Sequence, residues 1–317
     1  MAEPRVSVLV CAIAGADHLA RCLDLVLAQE GPAPHEILAV ADPNLPGVAA
    51  LAPRFPSVRI IRNEGQSTPI EIASRALREA TGDLIVLTED HCRPARDWLR
   101  RLVGAHAPGR AVVGGAVETD HAGSAVTWAF YLVDYYRYMR PCTAGPAPAL
   151  TVCNVSYRRE QLEAVRELWR ETFHETAVNA ALAERFGVLW IVPEAEVHTR
   201  RAVTFADAVY ERYAFGRMFA CNRNRFGGSP ARRVVYACLA PLLPPLIMWR
   251  MARRAFRSPA AGVMYLRSLV PLLAMVGAWT WGEWLGYVTD GPPAHVNAAP
   301  ELRAAARDAA AGAATRG

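Results

Sequence analysis

The chain opens on a short, β-branched apolar run, Val6 to Val10, that stops at the small residues Ala12 to Ala16. Behind it, Leu19, Leu23, Val26 and Leu27 recur at helical spacing, so His18 to Gln29 reads as an amphipathic helix. Glu36 to Val40 is a second strand, ended by the loop composition Asp42-Pro43-Asn44-Leu45-Pro46-Gly47. Val58 to Ile61 is a third strand, and Pro69 to Thr81 is a helix closed by Gly82. Leu84 to Leu87 is a fourth strand, followed at once by the polar Thr88-Glu89-Asp90-His91. Strands that alternate with helices imply an α/β fold with a mostly parallel sheet covered on both faces. Ligands of such sheets bind beyond the carboxyl ends of the strands, where Asp42 and Glu89-Asp90-His91 fall.

The pattern then becomes mixed. Ala111 to Val117 reads as a strand containing Gly114-Gly115, and Ala125 to Arg140 as an aromatic helix. After the Gly/Pro loop Thr143 to Ala149, a strand Val152 to Tyr157 leads into a helix Arg159 to Arg170. Glu175 to Phe186 is a further helix stopped by Gly187, and Val188 to Val192 a further strand. From about residue 200 the character changes. Phe205 to Phe226 is aromatic and arginine-rich, and two apolar stretches follow, Val234 to Trp249 and Leu269 to Val288. The first is shorter than the ~20 residues of a membrane span and holds Pro241, Pro244 and Pro245; Pro271 and Glu283 interrupt the second. The tail beyond Gly291 is Ala/Pro-rich and reads as disordered. The expected organisation is a catalytic-type α/β domain over 1–225, a hydrophobic helical region over 226–290 and a tail over 291–317.

Composition narrows the chemistry. All 35 basic residues are arginine, which excludes a Schiff-base lysine, a P-loop lysine and a kinase strand lysine. The seven cysteines include no C-x-x-C pair, which removes the usual zinc-finger and thioredoxin patterns, and they read as small buried hydrophobes. No signal peptide opens the sequence, so the N-terminal part is expected in the cytoplasm. The formal charge of +5 is unevenly spread: residues 232–267 hold seven arginines and no acid. Arginines flanking apolar runs point to an anionic membrane surface, not nucleic acid, for which no motif is present. A two-span hairpin would put Arg250, Arg253, Arg254, Arg257 and Arg267 outside, against the positive-inside tendency. A hairpin dipping into the cytoplasmic leaflet is the favoured expectation, with a buried helical domain or an apolar dimer interface as alternatives.

Taken in order, Val6-Ser-Val-Leu-Val, Glu36-Ile-Leu-Ala-Val-Ala-Asp42, Gly65-Gln-Ser-Thr-Pro69 and Gly82-Asp83-Leu-Ile-Val-Leu-Thr-Glu-Asp90 resemble family 2 glycosyltransferases. These are inverting nucleotide-sugar enzymes with a GT-A, Rossmann-like fold, and the resemblance is to their membrane-associated bacterial type. Downstream, Cys153-Asn154-Val-Ser-Tyr-Arg158, Phe173-His174-Glu175, Pro193-Glu-Ala-Glu-Val-His198 and Tyr210 to Arg217 continue it, so that it covers roughly residues 5–225.

The resemblance implies roles residue by residue. Ala12, at the end of the first strand, opens the nucleotide pocket; Asp42, Gly65 and Ser67 hold the nucleoside side of the donor. Asp90 matches the second aspartate of the family's Asp-x-Asp metal motif, but Thr88 stands where the first should be, so Glu89, His91 or His198 would complete a Mg²⁺ or Mn²⁺ site with Asp90. Glu175 matches the first acid of the Glu-Asp base motif, Thr176 replaces the second, and His174 orients Glu175 or is itself the base. Asn154 lies near the acceptor, and Arg212 and Arg217 would clamp the leaving diphosphate. The implied function is transfer of a sugar from a nucleotide-diphosphate sugar to a lipid-linked or saccharide acceptor at the cytoplasmic face of the plasma membrane. The alternatives are a soluble glycosyltransferase acting on a small molecule or protein, and a catalytically inactive scaffold of the same fold.

Overall fold

The computed structural model describes residues 4–31, 33–65, 67–119, 123–201, 203–227 and 229–289; Gln66 and the expected tail lie outside them. Among the described residues the chain forms two compact units, 4–118 with 138–200, and 119–137 with 201–289.

The first unit begins β1 (Val6–Ala12), α1 (Ala16–Leu27), β2 (Glu36–Ala41), β3 (Val58–Arg62), α2 (Pro69–Glu79), β4 (Leu84–Glu89), β5 (Cys92–Pro94), α3 (Trp98–Gly104) and β6 (Arg110–Thr119). After α4 (Ala125–Tyr135), which belongs to the second unit, it continues with β7 (Gly145–Pro146), β8 (Val155–Arg158), α5 (Arg159–Glu163), α6 (Glu175–Phe186) and β9 (Val188–Thr199). One sheet runs β3-β2-β1-β4-β8-β6-β9-β5, with β7 paired to β9. β1 to β4 are mutually parallel, so all four strand tips point to one edge; β8 then runs antiparallel to β4 and β6. The continuous apolar runs of β1 and β4 are buried along their whole length, as strands covered on both faces require. Leu9, Leu38, Ile72, Leu87, Tyr157 and Trp169 anchor the core on one side of the sheet. α2 starts sharply because Thr68 and Glu71 form a reciprocal capping box and Pro69 sits in its first turn.

Several boundaries differ from the sequence pattern, each for a local reason. The strand expected from Val152 begins at Val155, because residues 152–154 form a 3₁₀ turn whose polar groups bond to side chains: the Thr88 hydroxyl donates to the Cys153 carbonyl at 2.9 Å. The helix expected over 159–170 stops at Glu163, and a 3₁₀ turn follows at Arg166–Leu168. β9 runs seven residues past the expected end at Val192, because the buried alternation of Ala195, Val197 and Thr199 continues the pleat. β5 and α3 carry too short a pattern to be read in advance.

The second unit is helical: α4, α7 (Phe205–Gly227), α8 (Pro230–Leu239), α9 (Leu243–Ala255), α10 (Pro259–Arg267) and α11 (Leu269–Thr289). The sequence boundary near residue 225 falls inside this unit. α7 and α11 approach until a Cβ on Gly282 would run into the Tyr213 carbonyl oxygen. The prolines do not break the apolar stretch, since Pro241, Pro244 and Pro245 occupy first-turn positions where no N–H is needed. The resulting run Pro230–Ala255 is 26 residues long and apolar enough to cross a membrane, while α10 and α11 meet at a 72° bend.

Candidate active site

Two carboxylates at strand tips organise the parallel edge of the sheet. Asp42, just beyond β2 and buried, accepts the backbone N–H of Ser67 at 2.6 Å and of Asn44 at 2.8 Å. It thereby ties the loop after its own strand to the loop that follows β3. Ser67 is held further: its hydroxyl donates to the Gly65 carbonyl and accepts from Asn63, with Gly65 in the left-handed region at φ 69°. Asp90, just beyond β4, accepts three backbone N–H groups from the loop after β1: Ile13 at 3.0 Å, Ala14 at 2.9 Å and Gly15 at 3.2 Å. Its own N–H donates to Cys11, next to Ala12 at the end of β1. Burial raises the Asp90 carboxyl to about 6, against the opposing pull of His91 and these amides. Both acids therefore act as loop clamps at the parallel edge of the sheet.

The turn 152–154 meets three site elements in succession. The Val152 N–H donates to Glu175 at 2.5 Å, the Cys153 thiol donates to Glu89 at 3.0 Å, and Asn154 accepts from the Trp98 indole N–H at 2.8 Å. Glu175 opens α6 with His174 at its N-cap, so its carboxylate sits at the positive end of the helix dipole. Asn154 is fully buried and also donates to the carbonyls of Ala116 and Ala195, at 2.8 and 2.7 Å. Its amide thus pins β6, β9 and α3 to the 152–154 turn. Gly115 faces it, because a Cβ there would collide with the Ala195 carbonyl oxygen.

Around Glu89 the donors are soft. The His91 Nε2 lies 3.5 Å from the Glu89 carboxylate and 4.0 Å from the Cys153 Sγ. His91, Cys92 and Cys153 are buried, with one ligand atom from each within 4.8 Å of the others. Burial pushes the Glu89 carboxyl up. Mg²⁺ and Mn²⁺ prefer oxygen-rich, six-coordinate sites. Here Asp90 is occupied by amides, and the remaining donors are one carboxylate, one imidazole and two thiols. The cluster of His91, Cys92 and Cys153 beside Glu89 therefore differs from an all-carboxylate Asp-x-Asp site. His198 stands on β9 beside Glu196, at 3.2 Å.

That second group was not read from the sequence. Arg140 pairs with Glu196, its N–H donates to Glu118, and burial raises the Glu118 carboxyl. Its acids sit on alternate positions of long strands and carry no local motif. Arg212, expected as a phosphate clamp, is buried in the second unit and ion-paired to Asp134 and to Glu211, with Phe130 against its face. Its charge is matched there by the two carboxylates. Arg217 reaches the hydroxyls of Tyr213 and Thr289, at 3.4 and 3.2 Å.

The fold is shared with solved structures. A mannosyltransferase, PcManGT from Pyrobaculum calidifontis, in complex with GDP-Man and Mn²⁺, is 16% identical with a TM-score of 0.57, over 89% of this chain and 88% of that one. S. aureus TarS 1–349 in complex with UDP-GlcNAc is 12% identical with a TM-score of 0.51, over 89% and 91% of the two chains. A mycobacterial protein is 16% identical with a TM-score of 0.51, over 71% and 76%. At these identities the likeness establishes the fold. No curated protein sequence matches the chain. The family model for glycosyl transferase family 2 matches residues 7–166, the span that contains both loop clamps and the Glu89–Cys153 contact. With half of its length under that model and a Rossmann-like GT-A sheet beneath it, the chain is a glycosyltransferase and belongs to glycosyl transferase family 2.

Proposed function

We propose that the protein is an inverting glycosyltransferase that takes a sugar from a nucleotide-diphosphate donor and passes it to a lipid-linked or saccharide acceptor. The observation that carries this reading is the pair of clamps. Asp42 and Asp90 hold the loops at 65–68 and 13–15 on the one sheet edge where parallel α/β folds receive nucleotides. Complexes of the similar structures with GDP-Man and with UDP-GlcNAc agree with such a donor. Backbone N–H and C=O groups fixed in this way recognise a nucleoside by shape and hydrogen bonding without a dedicated side chain.

In the proposed step the acceptor hydroxyl oxygen forms a bond to the anomeric carbon while the bond from that carbon to the diphosphate oxygen breaks. Glu175 takes the hydroxyl proton, and the nucleoside diphosphate leaves from the opposite face, inverting the centre. The Val152 N–H holds the carboxylate in place at the start of α6.

The lipid acceptor and a site at the cytoplasmic face of a bacterial plasma membrane rest on the second unit. Val234, Leu242, Trp249 and Val270 are exposed along its apolar helices, beside Arg250, Arg253, Arg257 and Arg267. Apolar side chains rimmed by guanidinium suit an anionic headgroup layer.

A thermal-shift panel of UDP-, GDP- and dTDP-sugars, each with Mn²⁺ or with chelator, tests the donor reading. Saturating ligand at about 100 times its dissociation constant stabilises by about 2.7 kcal/mol. A shift with one nucleotide family supports the proposal and selects the substrate for a transfer assay. No shift with any, in folded protein held in detergent or lipid, sinks it and favours an inactive scaffold.

A further inference from the structure

The geometry points to a second kind of site in the first unit: a buried centre for one borderline-soft divalent cation such as Zn²⁺, held by the His91 imidazole and the Cys92 and Cys153 thiolates, with the Glu89 carboxylate beside His91 and Cys153. Imidazole and thiolate donors with one further oxygen ligand are what a four-coordinate zinc centre uses, with Zn–S near ~2.3 Å and Zn–N near ~2.0–2.1 Å. Such bond lengths place neighbouring ligand atoms roughly 3.3–3.8 Å apart in a tetrahedron. In the protein the Glu89 oxygen stands 3.0 Å from Cys153 Sγ and 3.5 Å from His91 Nε2, which is itself 4.0 Å from Cys153 Sγ. The His91, Cys92 and Cys153 donors all lie within 4.8 Å of one another, so side-chain shifts on the order of 1 Å bring them to tetrahedral spacing.

The surroundings support the assignment. Cys92 is fully buried and Cys153 and His91 nearly so, while the Glu89 side chain retains 11% exposure and marks the side from which an ion enters. The His91 Nδ1 lies 3.9 Å from the Asp90 carboxylate, beyond hydrogen-bond distance but close enough for its charge to favour a cation at the ring. Asp90 in turn holds the amides of residues 13–15. Cys153 sits in the turn whose preceding N–H holds Glu175. An ion at this centre would therefore lock together β4, the 152–154 turn and the loop after β1. Its role is to brace the mouth of the donor pocket, away from any transferring phosphate. Loading displaces to solvent the proton that the Cys153 thiol donates to Glu89, with any proton on Cys92, and involves no redox change.

The test uses the full chain, stripped with chelator and titrated with Co²⁺ and then Zn²⁺. One equivalent of Co²⁺ is expected to bring sulfur-to-cobalt charge-transfer absorption in the near ultraviolet and intense visible bands of four-coordinate cobalt, both erased by Zn²⁺. Cys92→Ser and Cys153→Ser should each abolish the charge-transfer band, while Cys238→Ser, exposed and remote in sequence, should leave it. Glu89→Gln should keep the thiolate bands and weaken binding by roughly tenfold or more. Should the serine variants fail to fold, X-ray absorption of the Zn²⁺-loaded wild type decides alone: two sulfur and two lighter neighbours support the centre. Folded wild type with no thiolate band, or zinc surrounded only by oxygen and nitrogen, overturns it. These readouts are independent of sugar transfer, so the centre and the donor site stand or fall separately.

Discussion

Both carboxylate oxygens of Asp90 face the backbone N–H of Ala14, at 3.1 and 2.9 Å, from the tip of β4 to the loop after β1. A buried carboxylate that accepts several amides is worth more than a neutral acceptor, about 1.5–3 kcal/mol per charge-assisted bond. Asp90→Asn keeps the volume but turns one acceptor into a donor aimed at N–H groups. The variant should unfold about 2–3 kcal/mol more easily in urea and bind the donor nucleotide at least tenfold more weakly by calorimetry. Unchanged donor affinity in a folded variant would show that the 13–15 loop does not contact the nucleotide.

Two glycines separate steric need from backbone need. Gly115 lies where a Cβ would strike the Ala195 carbonyl and the Asn154 amide, both held in a buried network. Gly115→Ala should cost about 3 kcal/mol or more, since backbone and amide must both move. Gly65 adopts φ 69° with open space around it. Gly65→Ala should cost only about 1–2 kcal/mol, the penalty of left-handed backbone, and lower donor affinity through the Ser67 loop. Equal losses for the two in urea unfolding would contradict the close approach of β6 and β9.

Glu175→Gln retains an oxygen to accept the Val152 amide while removing the base. Turnover should fall by about 10²–10⁴, the usual contribution of a positioned proton acceptor, with donor binding and melting temperature unchanged. His174→Ala is expected to have a smaller effect. The reverse ranking would move the base to the imidazole.

The parallel half of the sheet was legible because β1, β2 and β4 are largely apolar runs, and the acids that follow β2 and β4 stand out against them. The same pattern hid what those acids do. Asp42 and Asp90 are read from sequence as ligand-binding groups, yet their oxygens are engaged by amides from loops that composition alone cannot place. Cys92 and Cys153 passed as apolar filler, because their meeting depends on β8 lying antiparallel beside β4. The adjacent pair His91-Cys92 after a strand tip was the available signal. The pairing of Arg212 was not legible because its partner Asp134 comes from α4, far away in sequence.

His106 gives the protein an acid-sensitive element away from the active site. Its Nε2 lies 2.8 Å from the Ser156 hydroxyl. Burial, with Arg158 and Arg110 adding like charge, lowers the imidazole from 6.5 to about 4. The folded state thus favours the neutral ring, and between these two values the unfolded chain binds a proton that the folded chain does not. Stability from this residue is whole above pH 6.5, declines as pH falls, and is lost once pH passes below about 4. The shift corresponds to about 3 kcal/mol across that window. His106→Gln should flatten this part of the stability profile whatever it does to stability at pH 8. Urea midpoints of both proteins between pH 4 and 8 decide the matter, because parallel profiles would mean that His106 titrates normally in the folded state.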